Sequence, residues 1–174
     1  LEALSERLDI TVYYYNPNIM PLEEYEKRLG QFEKLRRYPF RLVAEPWDNE
    51  TFLAAVRGRE ADPEGGGRCS LCFHLRLERT AEKAKAEGYD FFATTLTVSP
   101  HKNAQVINTI GAELGEAWGV RWLYSDFKKR EGYKRSIEIC RELDIYRQDY
   151  CGCRLAPISD EKGIFKTRCR KKRN

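Results

Sequence analysis

The chain has 174 residues, 41% of them hydrophobic and 33% charged, with a formal net charge of +4. That length suits one domain with a core of its own. No apolar run approaches the roughly 20 residues of a membrane-spanning helix, no signal-peptide pattern is found, and six cysteines in a chain of this size favour metal or redox chemistry over a disulfide scaffold, so a cytoplasmic protein is expected.

Residues 1–8 read as part of an amphipathic helix with neither initiator Met nor cap, and the expectation is that a segment upstream carries the first strand. Residues 9–15, β-branched and aromatic, predict a buried strand ended by the turn Asn16-Pro17-Asn18. Pro21 opens a helix expected to run to about Arg37, with Leu22, Tyr25, Leu29 and Phe32 at helical spacing. A short strand follows at 40–44, then a helix over 49–56 that Asp48 can cap. The loop Asp62-Pro63-Glu64-Gly65-Gly66-Gly67 delivers Cys69 and Cys72 to the start of a helix that Gly88 ends. Beyond it come a strand at 91–96, a loop at 97–103, a helix at 104–118 and a strand at 120–124. A charged loop at 126–133 and a helix at 134–143 carrying Cys140 complete the periodic part.

Strands alternating with helices predict an α/β protein: a single three-layer sandwich whose mostly parallel sheet is covered on both faces. Ligands gather at the carboxyl ends of such strands, where Asn16-Pro17-Asn18, 99–103 and 125–130 fall. The domain is expected over 1–155. Residues 156–174 are expected to be a basic C-terminal extension, whose run 166–173 is too polar to pack.

Two cysteine clusters stand out. Cys69 and Cys72, a C-x-x-C entering a helix, put two sulfurs on one side of one turn. Buried inert thiols are the plain alternative, but the glycine loop and the helix start favour a ligand or reactive thiol, whose pKa the helix N-terminus would lower. The spacing alone leaves zinc, an iron–sulfur cluster and a dithiol couple open. Cys151 and Cys153 flank Gly152. A disulfide across one residue closes a very small, strained ring, so this pair is a redox-active dithiol or a chelate. Four thiolates from two distant segments point to one metal or redox site. Cys140 reads as a core thiol and Cys169 as incidental. His74 is possible but unfavoured as a ligand, while His101 suits a general acid, a phosphate contact or a solvated residue.

Basic residues interleaved with aromatics, Lys128 to Arg130 beside Phe127 and Tyr133, suit single-stranded or looped RNA, as against an ordinary solvated face. The chain has no G-x-x-x-x-G-K-[ST] loop, no G-x-G-x-x-G fingerprint and no three-cysteine run of the radical S-adenosylmethionine kind.

Taken together, several motifs resemble one family in the right order. They are Asn16-Pro17-Asn18-Ile19 with Glu24-Tyr25, Arg68-Cys69 with Cys72, and Thr94-Thr95-Leu96 with Ser99-Pro100-His101-Lys102. Asp126-Phe127-Lys128-Lys129 with Gly132-Tyr133, and Tyr146-Arg147-Gln148 with Tyr150-Cys151-Gly152-Cys153, complete the match. The pattern is similar to the cobalamin-independent epoxyqueuosine reductases, the QueH family. The resemblance implies the last step of queuosine synthesis, reductive removal of the epoxide oxygen from epoxyqueuosine in a tRNA anticodon loop. It also implies a nucleotide-hydrolase-like (HUP-like) sandwich and a [4Fe–4S] cluster with a neighbouring iron. In the family a Cys-Cys pair near the N-terminus and a C-x-x-C like Cys69 and Cys72 hold the cluster; the present sequence contains no Cys-Cys. Cys151 and Cys153 would then be a redox pair, able to form a disulfide, or hold the second iron. Asp126, His101 and Tyr150 are candidate proton donors, and Arg68, Lys102, Lys128, Lys129 and Arg147 candidate phosphate contacts. An electron donor of unknown identity completes the set. The rival readings are a zinc-stapled RNA-binding module without turnover and an ATP-using RNA-thiolating enzyme.

Overall fold

The computed structural model describes residues 1–148, 150–153 and 155; Asp149, Arg154 and the extension from 156 onward, with its basic run and Cys169, lie outside them. Among the described residues the chain is α/β, with parallel strand pairs and five α-helices. The β-branched and aromatic run yields β1 (Thr11–Tyr14), paired in parallel with β2 (Arg41–Ala44). Further along, β3 (Phe91–Phe92) pairs in parallel with β4 (Arg121–Trp122).

The continuous sheet expected from the sequence is thus two ladders. A side-chain bond links them, Tyr89 Oη donating to Thr11 Oγ1 at 2.9 Å. The strand expected over 91–96 stops early because the Thr94 hydroxyl accepts the Leu96 amide at 3.2 Å and turns the chain into a short 3-10 segment, Leu96–Val98.

The helices are α1 (Leu22–Leu29), α2 (Asn49–Ala55), α3 (Gly67–Ala86), α4 (Ala104–Trp118) and α5 (Gly132–Glu142). Asp48 caps α2 by accepting the Thr51 amide, and Asn103 caps α4 by accepting those of Gln105 and Val106. The helix expected to reach Arg37 ends eight residues sooner. Gly30 is a poor helix former, and from it the chain tightens into a 3-10 segment, Gly30–Leu35. Residues 1–8 form successive turns rather than the expected helix, with Leu4 N–H donating to Leu1 O and Leu8 N–H to Leu4 O.

Helix α3 organises the packing, lying against α4, α2 and β3. Cys69, Phe73, Leu77, Ala81 and Ala84 form one stripe at helical spacing and meet Ile107 and Leu114 of α4, together with Phe92 and Val120. Cys72 faces a different, smaller core with Phe52, Val56 and Cys153. A third cluster joins Tyr14, Ile19 and Tyr25. The C-x-x-C therefore sits where two cores meet.

Candidate redox site

The glycine loop builds the first half of the site. Asp62 accepts the Arg68 amide at 2.9 Å and so caps the first turn of α3, while the Gly65 amide donates to Cys69 Sγ at 3.2 Å. An N–H on a sulfur is the support a thiolate or cluster ligand uses. Cys72 departs from the expected lowered pKa. Burial pushes its thiol up to about 11, and the opposing pull of Arg76 is weaker. Desolvation here outweighs the helix N-terminus.

The second half is the segment Cys151-Gly152-Cys153. Gly152 adopts φ +102°, open to glycine but strained for any other residue, and its carbonyl accepts the Met20 amide at 3.0 Å. The two sulfurs are hydrogen-bonded to each other. That bond holds Cys151 well below the ordinary thiol range; burial opposes the effect, and Lys102 adds to it. The same bond, with burial, pushes Cys153 up. The pair therefore releases its first proton as a unit and is read as one thiolate with one thiol.

Lys102 ties the halves together. Its ammonium lies 3.4 Å from Cys151 Sγ and 2.6 Å from Glu64 of the glycine loop, with a side chain only 11% exposed. Burial disfavours its charge, but Cys151 and Glu64 outweigh that and raise its pKa. Cys72 and Cys153 share the Phe52–Val56 core. The two cysteine motifs, 79 residues apart from Cys72 to Cys151, thus converge.

The other predicted site residues divide. Tyr150 lies under the Arg28 guanidinium, 5.1 Å from ring centroid to carbon. Asp126 is ion-paired to Lys128 at 3.2 Å and Lys129 at 3.6 Å, and Lys128 also donates to the Lys102 carbonyl, which places this cluster beside the site. His101 is an exposed neighbour of Lys102, its amide donating to Ser99 Oγ. Arg147 is exposed and stands over the Tyr133 ring at 5.7 Å. Arg68 does not suit the phosphate contact expected of it. It is 1% exposed, enclosed by its own loop, and donates from Nη1 to Glu60 O. Lys102 likewise faces sulfur and Glu64 rather than solvent. His74 is exposed and pairs with Glu78 at 3.7 Å. Cys140 is half-buried on α5.

Sequence reasoning missed Arg28, Glu64 and Arg76. Only the i,i+4 spacing of Glu24 and Arg28 offered a signal.

All five described cysteines are free thiols. Among the described residues, no three His, Cys, Asp or Glu side chains are grouped as a metal ion requires. The fit to a cluster is therefore to part of its ligand set: Cys69 and Cys72, adjacent on one turn, with an amide on one sulfur. Also among the described residues, no helix is long and apolar enough to cross a membrane.

The sequence profile of a family described as epoxyqueuosine reductase QueH matches residues 1–158. The chain belongs to the QueH family. An epoxyqueuosine reductase QueH of Streptococcus pyogenes serotype M1 is 44% identical over 160 residues, covering 88% of this chain and 63% of the relative. One from Staphylococcus epidermidis is 41% identical over 167 residues, covering 91% and 70%. One from Thermotoga maritima is 39% identical over 150 residues, covering 83% and 78%. The present chain thus spans less than two thirds of the streptococcal QueH protein's length.

Proposed function

We propose that this chain carries the redox centre of an epoxyqueuosine reductase, which removes the epoxide oxygen from epoxyqueuosine in a tRNA anticodon loop as the last step of queuosine biosynthesis. One observation carries the reading: the C-x-C pair, one sulfur poised as thiolate beside Lys102, lies against the C-x-x-C of α3. The stoichiometry fits. Turning an epoxide into an alkene and water takes two electrons and two protons; oxidation of the thiolate–thiol pair to one disulfide releases two electrons and one proton, and the second proton comes from a donor at the site or from water.

Cys69 and Cys72 would hold two corners of a [4Fe–4S] cluster, and a neighbouring iron would draw on Cys151 or Cys153; bound there, the cluster supplies single electrons and the iron a Lewis acid for the epoxide oxygen. The chain's own residues bind and protonate. Cys153, helped by Lys102, keeps Cys151 ionised, and Tyr150 or Asp126 gives a proton to the departing oxygen, with His101 as a third donor at the rim. Lys128, Lys129 and Arg147, the last with Tyr133, contact anticodon phosphates and bases. The site of action is cytosolic, where the tRNA and an electron donor are found. Residues 1–155 act as the reductase domain and 156–174 as a basic extension.

The test replaces both Cys151 and Cys153 by Ser in the full chain. Turnover on epoxyqueuosine-containing tRNA is lost while tRNA binding is retained; undiminished turnover refutes the assignment. Iron and sulfide analysis of anaerobically purified protein checks the cluster, and a colourless zinc protein would favour a stapled RNA-binding module instead.

A further inference from the structure

The C-x-C segment does not hold its own shape. Around Gly152 it is strapped to α1 through a buried ion pair. Arg28 Nε donates to Glu24 Oε1 at 2.7 Å, with both side chains about nine-tenths buried. From that anchor Arg28 Nη1 donates to the Cys151 carbonyl at 3.4 Å, and its guanidinium covers the Tyr150 ring. Glu24 Oε1 in turn accepts the Tyr146 hydroxyl at 3.2 Å. The Tyr146 amide donates to Gln31 at 2.8 Å, and Lys27 caps the Tyr146 ring at 3.5 Å. Space is closed as well: a Cβ at Gly152 would stand 3.1 Å from Arg28 Nη1 and 3.3 Å from Ile19 Cγ1.

A buried ion pair is a poor way to gain stability, because desolvation offsets most of the attraction. Here Arg28 Nη1 reaches the segment that carries the two sulfurs and Glu24 Oε1 accepts from Tyr146 just before it, while Arg28 Nη2 is buried without a partner among the described residues. We propose that Glu24 and Arg28 are the positioning residues of the Cys151–Cys153 pair, holding the backbone of Cys151 and Gly152 so that both thiols face each other. The inference rests on reading that pair as a redox couple. Oxidation of the thiolate–thiol pair forms one S–S bond and releases two electrons and one proton, which in a test can go to oxidised glutathione; with one further proton from water this gives two molecules of the reduced form. Alignment raises the effective concentration of one sulfur at the other, so the strap favours closure of the ring.

The sulfurs can be followed apart from all others, since trypsin releases them together in peptide 148–154. The full chain is equilibrated anaerobically over a range of glutathione ratios, acid-quenched and alkylated, and the oxidised fraction of that peptide is read by mass. Arg28→Gln lowers the closure equilibrium constant about tenfold, the value of one charge-assisted hydrogen bond. Arg28→Lys, which still donates, recovers most of it. With epoxyqueuosine-containing tRNA, Arg28→Gln lowers kcat and leaves KM near wild type. Tyr146→Phe, which removes only the outer link, serves if Arg28→Gln fails to fold, and it shifts closure in the same direction. A folded Arg28→Gln protein with wild-type closure overturns the inference, as does unchanged closure in Tyr146→Phe when Arg28→Gln is unfolded. A wild-type pair that stays reduced at every glutathione ratio instead overturns the redox-couple reading, and the inference with it.

Discussion

The ammonium of Lys102 stands 3.4 Å from the sulfur of Cys151, and no other described lysine is recorded against a cysteine sulfur. A cation at that distance stabilises a thiolate, and partial burial protects the attraction from screening by water.

Replacing Lys102 by Met therefore raises the pH at which Cys151 ionises. Its alkylation by iodoacetamide at about pH 5, where the wild-type thiol is half ionised, followed on peptide 148–154, slows several-fold. Glu64, left behind, is 51% exposed and can take up water, so the fold is retained. An unchanged rate would show that Cys153 alone keeps Cys151 ionised.

Glu24 gives a pH dependence of defined sign. Burial favours its neutral form, but the bonds from Arg28, Tyr150 and Tyr146 outweigh that and hold it below the ordinary 4.5. A carboxylate with a depressed folded pKa stabilises the protein fully above 4.5 and loses that contribution as the pH falls through its folded value. Glu24→Gln melts below wild type at pH 7, and the difference narrows on acidification below 4.5. Parallel melting curves across that range would remove Glu24 from the account.

Asn108 is the polar keystone of the far side of the site. Its Oδ1 accepts Trp122 Nε1 at 2.9 Å and the Ser125 amide at 3.1 Å, and its Nδ2 donates to the carbonyls of Ala104 and Ser125 at 2.8 Å each. Asn108→Leu strands several of these groups inside the protein and destabilises it by about 3 kcal/mol. Urea unfolding followed by tryptophan fluorescence measures the loss. It also loosens the turn that presents Asp126.

Lys129 is 76% exposed beside Asp126. If it meets a phosphate, Lys129→Gln weakens tRNA binding and lowers the slope of log affinity against log salt by about 1. A slope equal to that of wild type would take Lys129 out of the RNA surface.

The fold was legible where local signals agree. Pro21 before α1, Asp48 before α2 and Gly88 after α3 each marked a helix end, as caps and breakers do. Strand lengths were not, because the pairing partner and side-chain turns such as Thr94 with Leu96 decide where a short strand ends. At the site, cysteine spacing pointed to the sulfurs, which are chemically rare. Lys102 could be found but not interpreted, since a lysine in a loop looks alike whether it meets phosphate or thiolate. Arg28 lies 123 residues from the sulfur segment it supports, a pairing that only folding creates.

Cys69 and Cys72 belong to different apolar clusters, Cys69 with Ile107 and Leu114 of α4 and Cys72 with Phe52, Val56 and Cys153. Cys153 works as a gasket on the second of these, so tightening or releasing its partner bond pulls on the wall that α2 forms. Amide exchange along α2 should then act as a gauge of the oxidation state of a pair nearly a hundred residues away.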